Sequence, residues 1–183
     1  MTPKRILLLG KRPDVMQRLL RQVHEAGLQA QGSTDLPTFH QQFNALDFDL
    51  IGLGGGLEQP ERQALLLAFR RHNPAVEVVD LVAPLVVEQL RYHTQKVAAP
   101  LLSDLRVRVP DDVEISFIAA DACRLEASFY HYNPQPVEQV VFAGEVPQGV
   151  NVVEISKTSL GPGPNFVALK TKTGEILAGR IEA

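Results

Sequence analysis

Apolar residues follow two rhythms along this chain, and the change from one to the other divides it. In the first half, short apolar runs alternate with stretches of helical spacing. Ile6 to Leu9 is a continuous apolar run ending at Gly10, the pattern of a parallel strand covered on both faces. Pro13 suits a first helical turn and Asp14 complements the helix dipole. Val15, Leu19, Leu20 and Val23 then recur at helical spacing until Gly27. Leu28 to Gly32 reads as a second strand. Ser33-Thr34-Asp35 supplies capping residues for a helix over roughly Pro37 to Leu46, with Phe39, Phe43 and Leu46 on one face. Asp49 to Leu53 is the third strand, followed by the turn Gly54-Gly55-Gly56. A helix over Pro60 to His72 points Leu65, Leu66 and Phe69 inward and stops at Asn73-Pro74. Val76 to Val82 is the fourth strand, and Pro84 to His93 the last helix, with Val87 and Leu90 at helical spacing. Regular alternation of strand and helix predicts an α/β domain built on a short, doubly wound parallel sheet.

After a junction at Gln95 to Leu102, which contains Ala98-Ala99-Pro100, the helical rhythm does not return. Val113 to Ile118 and Leu125 to Tyr130 alternate with period two, and Val150 to Ile155 follows a Pro147-Gln148-Gly149 turn. Asn165 to Lys170 and Glu175 to Ile181 flank Thr171-Lys172-Thr173-Gly174, a hairpin connection. With Leu105 to Val109 and Val137 to Phe142, about seven short strands fill the second half, the density of an antiparallel β-sandwich of immunoglobulin or fibronectin kind. The expected organisation is therefore an α/β domain over 1–95, a linker over 96–104 and an all-β domain over 105–183.

The stretch Asp47-Phe48-Asp49-Leu50-Ile51-Gly52-Leu53-Gly54 resembles the third-strand region of bacterial response-regulator receiver domains, a flavodoxin-like fold. There a similar run leads into the phosphate-accepting aspartate. The matching position here is Gly54, which has no group to accept a phosphoryl. Receivers also carry an acidic pair after the first strand to hold magnesium, where this chain has Gly10-Lys11-Arg12-Pro13-Asp14, whose basic residues repel a cation. The resemblance implies a shortened receiver-like domain that cannot be phosphorylated. In the second half, Gly144 to Asn151, Leu160-Gly161-Pro162-Gly163 and Leu169 to Glu175 resemble the closing strands of small β-sandwich tails of secreted bacterial proteins, including type IX sorting tails. That likeness implies the sandwich fold and a propensity for adhesion. The sorting role does not carry over.

Charge and chemistry narrow the picture further. The net charge is -3; residues 1–100 hold 11 Lys/Arg against 10 Asp/Glu and residues 101–183 hold 7 against 11. No run of like charges offers a nucleic-acid arm, so no nucleic-acid partner is expected. The apolar run at Ile6 to Leu9 is too short for a signal peptide or a membrane span, which leaves a cytoplasmic protein as the expectation. Cys123 is the single cysteine, read as a small core residue in a strand; it excludes an internal disulfide and a Cys-rich zinc site. His24, His40, His72, His93 and His131 stand at no metal-ligand spacing, and no serine lies in a G-x-S-x-G elbow. His131, between Tyr130 and Tyr132 and beside Asn133-Pro134, reads either as part of an aromatic recognition surface or as a strand end packed on its own domain. Asp47 with Asp49, and Asp111 with Asp112, fall at strand entrances and turns, where caps are expected.

Ligands of open α/β sheets collect at the carboxyl ends of strands, which singles out Gly10, Asp35, Gly54, Gly55, Gly56 and Asp80 as candidate ligand-binding residues. Backbone amides of the triple glycine can approach a phosphate closely, and Asp35 stands where an acid meets a ribose. Against a nucleotide, the first turn lacks G-x-G-x-x-G, no Walker-type loop occurs, and Glu58 follows the glycines. The sequence thus predicts no cofactor, no metal and no catalytic constellation. The expected function is a non-enzymatic binding or scaffold protein with a protein partner and a capacity to form homodimers. The alternative is a nucleotide or small-anion sensor at the glycine turn.

Overall fold

The computed structural model describes residues 3–38, 42–95, 99–109, 111–132, 135–161 and 163–182. Phe39 and His40 of the second expected helix, Ala98 of the junction, Asn133-Pro134 beside His131, and Pro162 lie outside the described residues. The chain divides after Thr94 into two compact units.

The first unit runs β1 (Ile6–Leu9), α1 (Pro13–Glu25), β2 (Ala30–Ser33), β3 (Leu50–Gly54), α2 (Gln59–His72), β4 (Glu77–Leu81) and α3 (Val86–Thr94). Its four strands are parallel, in the order β2-β1-β3-β4. Side chains on a strand alternate between faces, and that alternation builds two cores. Leu7 and Leu9 join Ile51, Leu53, Leu65 and Phe69 on the α2 side, whereas Ile6 and Leu8 join Met16, Val23, Leu50 and Leu90 on the side of α1 and α3. Gly52 in β3 is a packing requirement: a Cβ there would lie 2.4 Å from Leu81 Cδ1 and 3.0 Å from Leu8 Cδ2.

Two local expectations are corrected. The second strand begins at Ala30 and not at Leu28, because Leu28 belongs to the end of α1. Its N–H bonds Val23 O and the Gly27 N–H bonds His24 O, with Gly27 at φ +79°, a Schellman closure. The helix expected over Pro37 to Leu46 does not continue to Leu46. Ala45–Asp47 is a single 3-10 turn that Asn44 caps by accepting the Leu46 N–H. Its tighter repeat takes Leu46 off the apolar stripe, leaving it 60% exposed, while Ala45 and Phe48 are buried instead.

The second unit is antiparallel: β5 (Leu102–Arg108), β6 (Val113–Ala119), β7 (Cys123–Tyr132), β8 (Pro136–Val146), β9 (Gly149–Ile155), β10 (Asn165–Thr171) and β11 (Ile176–Ile181). They form a four-stranded sheet, β11-β10-β7-β8, and a three-stranded sheet, β5-β6-β9. Inward residues of both sheets, among them Ile115, Phe117, Leu125, Phe129, Val167 and Leu169, share one core. β5 starts at Leu102, three residues before the expected Leu105. A bulge between Ser103 and Arg106, with Asp104 at φ 52°, interrupts the alternation that marks it. The bulge sets Leu105 against β11, where a Cβ on Gly179 would lie 3.2 Å from Leu105 Cδ2.

The hairpin after β10 turns at Gly174, φ 88°, and leads to a buried acid. Glu175 precedes β11, and its two carboxylate oxygens accept the Leu101 and Leu102 N–H groups, each at 2.9 Å. That clamp fastens the entry of β5 to the β10–β11 hairpin. Among the described residues no helix is long and apolar enough to cross a membrane.

Candidate functional site at the carboxyl edge of the parallel sheet

The parallel register carries the candidate residues to one edge of the sheet. Gly10 follows β1, its N–H bonding Ser33 O at the end of β2; Gly54 ends β3; and Asp80 in β4 pairs with Leu53 in register. The edge is close at Gly54, where a Cβ would lie 3.1 Å from Leu9 O and 3.5 Å from Gly10 Cα and would press on the β1 backbone. The glycine turn closes with Leu57 N–H on Gly54 O at 3.1 Å, and the fully buried Leu57 anchors it. Gly56 is different, because a Cβ there meets nothing within 4 Å.

The charges at this edge pair with one another. Lys11, just after β1, places its Nζ 2.8 Å from Glu61 Oε2 and 3.3 Å from Glu58 Oε1. The same two acids make a capping box at the start of α2, where the Glu58 N–H donates to Glu61 Oε2 at 2.8 Å. The bond to Glu61, reinforced by Glu58 and partly offset by desolvation, raises the Lys11 pKa above its ordinary value. Hydrogen bonds from Lys11 and then from the Glu58 N–H hold the Glu61 carboxyl below its ordinary value. The glycine turn therefore opens onto a helix start already filled by its own carboxylates.

Deeper in the edge, Arg62 is 8% exposed and forks onto Asp80, with Nη2 2.7 Å from Oδ2 and Nη1 on Oδ1. The buried Gln89 of α3 holds Asp80 from its other side, accepting the Val82 N–H at 2.9 Å and donating to Asp80 O at 2.7 Å. Arg62 Nε is buried and has no hydrogen-bond partner among the described residues. Asp35, beyond β2, is engaged in its own turn: Oδ1 accepts the Thr38 N–H at 3.4 Å and Oδ2 accepts the Thr38 hydroxyl. All six expected residues thus lie at the end of a strand, but both aspartates are already bound within the chain.

Lys11, Glu58, Glu61, Arg62 and Gln89 are absent from the sequence-derived site. Arg62 carried a signal, because it stands three residues before Leu65 and seven before Phe69, on the buried stripe of α2. Gln89 does so too, beside Leu90 on α3.

Elsewhere the polar residues serve the fold. His93 Nδ1 lies 2.6 Å from Glu77 Oε1, and Lys4 Nζ 3.1 Å from Glu77 Oε2. These contacts, His93 first, depress the Glu77 pKa against the desolvation that opposes them. His24 Nε2 meets Ala30 O at 2.8 Å. Asp49 accepts the Arg5 N–H and Asp112 the Lys157 N–H, as expected of acids at strand entrances and turns. Cys123 packs against the core at the start of β7, and burial pushes its thiol pKa up, away from nucleophilic use.

Around His131 the aromatic side chains are engaged with neighbours on both faces of β7. Tyr130 is fully buried and donates to Glu138 at 2.5 Å, His131 lies 5.7 Å from Phe129 ring to ring, and Tyr132 meets Phe166 edge to face. At the amino ends of the parallel strands, a groove of about 730 Å3 bordered by Arg5, His24, Asn44 and Phe48 holds none of the expected site residues.

No family model and no curated protein matches this chain. Among solved structures, it is similar to a β-glucosidase from Listeria innocua at TM-score 0.32 and 11% identity, over 98% of this chain and 45% of that one. It is also similar to a β-glucosidase from Erythrobacter marinus at TM-score 0.31 and 10% identity, over 98% and 46%. The chain spans less than half the length of either protein, and likenesses this distant carry no argument about its fold or activity.

Proposed function

We propose that the first unit is a shortened flavodoxin-like, receiver-like domain that has lost phosphotransfer, and that the protein is a non-enzymatic binding or scaffold protein acting on a protein partner. The strand order β2-β1-β3-β4 supports the fold reading, because it is the flavodoxin-like order without its last strand. The shared core of the two antiparallel sheets likewise supports a small sandwich for the second unit. One observation carries the functional reading. Where a receiver would hold a metal ion and a phosphorylated aspartate, this chain has Gly54 and a Lys11 ammonium held between Glu58 and Glu61. The fixed ammonium repels a divalent metal, and the net negative charge of the two carboxylates around it repels a phosphoryl group.

Incubation of the whole protein with acetyl phosphate and magnesium, followed by intact-mass measurement, tests this reading. The expected result is an unchanged mass. A phosphoryl adduct mapped to the carboxyl edge would overturn it. The second reading, a small-anion sensor at Gly55 and Gly56, has the open space beside Gly56 in its favour and the neighbouring Glu58 against it.

A further inference from the structure

Four strands end the two sheets of the second unit, and three of them are protected. β5 and β11 lie against each other through Leu105 and Gly179, and β5 also carries the Asp104 bulge. β8 opens on Pro136 and is interrupted by a register shift between its pairs Ala127↔Phe142 and Ser128↔Val140. Proline, bulges and cover are the usual devices that stop a sheet edge from recruiting another strand. Within β9 the described residues show neither a proline nor a register shift. Its seven residues pair with β6 in unbroken register from Gly149↔Ala119 to Ile155↔Val113, and they include no proline, lysine or arginine. Val150 and Val152 on this edge are 74% and 52% exposed.

We propose that the β9 edge pairs antiparallel with β9 of a second copy, about a two-fold axis at Val152, joining two three-stranded sheets into one of six strands. The sequence of the strand selects a copy of itself. In this register all seven residues are used: Val152 faces Val152, Asn151 faces Val153, Val150 faces Glu154 and Gly149 faces Ile155. The strand's one charge, Glu154, opposes its own copy only in a register centred on itself, which pairs just three residues. A central pair of β-branched side chains is among the favourable cross-strand contacts. With no basic residue, β9 offers no hold for an acidic peptide or a phosphate backbone. An isologous contact also closes at two copies, so the edge is used up. One strand pair falls short of the roughly 1,200 Å2 of a standard stable interface, so the dimer forms as concentration rises.

The test is the symmetry of crosslinking. In a Cys123→Ser background, Val152→Cys places two thiols across the axis at a separation a disulfide spans, whereas Val150→Cys places them roughly 13 Å apart along the strand. Under mild oxidation the first variant is expected to give a covalent dimer and the second to remain monomeric. In the otherwise native chain, sedimentation equilibrium should show the mass rising from 20.1 kDa toward twice that with concentration. Val152→Lys, at a half-exposed position, should return it to monomer with unchanged circular dichroism. Equal crosslinking of both cysteine variants, a monomer at every concentration, or a dimer indifferent to Val152→Lys would each overturn the proposal.

Discussion

The carboxyl edge of the parallel sheet and the β9 edge of the second unit are both margins of a sheet, but they are finished in opposite ways. At the first, Lys11 and Arg62 are matched to Glu58, Glu61 and Asp80. At the second, seven residues carry one charge and pair along one side only. Charges that find partners inside the chain close a surface to charged ligands, because a newcomer must break bonds already made. Backbone groups left unpaired at a regular strand keep a surface open to another strand.

The largest effect should come from breaking the pairing at the closed edge. Asp80→Ala strands Arg62 without its counter-ion in a buried site and should cost about 3 kcal/mol in urea denaturation. The double variant Arg62→Met with Asp80→Val should recover most of that loss, because an apolar pair needs no desolvation. If both variants are equally unstable, packing and not charge holds this edge. Next in size, Glu175→Gln weakens two charge-assisted bonds to buried amides and should cost about 2 kcal/mol, with faster amide exchange at Leu101 and Leu102.

A smaller effect is expected of pH. The Glu77 carboxyl is depressed below its ordinary 4.5 in the folded protein, so its contribution is present above that value and fades as pH falls through the lowered folded pKa. Glu77→Gln should flatten this acid limb of the stability curve and leave neutral pH less affected than Asp80→Ala does. The limb keeping its slope in the variant would mean that other carboxylates dominate acid unfolding.

The fold was legible where burial is one-sided or complete. The run Ile6 to Leu9 reads as a covered strand because both faces are packed, and the period-two stretches of the second half read as strands because one face is. Element ends were less legible, since Gly27, Asn44 and Asp104 set them by backbone geometry that a hydrophobic pattern does not encode. The alternation of strands and helices is enough to put the six candidate residues at strand ends. Their partners do not follow from it, because ion pairs such as Arg62 with Asp80 join residues 18 apart in sequence through the crossing of a helix over a strand end. In the sequence Glu175 reads as the first residue of a strand. Only the folded hairpin brings its carboxylate to the amides of Leu101 and Leu102.

The central claim, that the carboxyl edge is closed by its own charges, is tested most directly by thermal unfolding with and without ADP, NAD and inorganic phosphate. The native protein should be compared with the Glu58→Gln, Glu61→Gln double variant. No shift of the native protein with any of these anions is expected, together with a stabilisation of the variant, whose Lys11 is released, that grows with anion concentration. A native protein stabilised by any of these anions, with the effect lost in Lys11→Ala, would contradict the account.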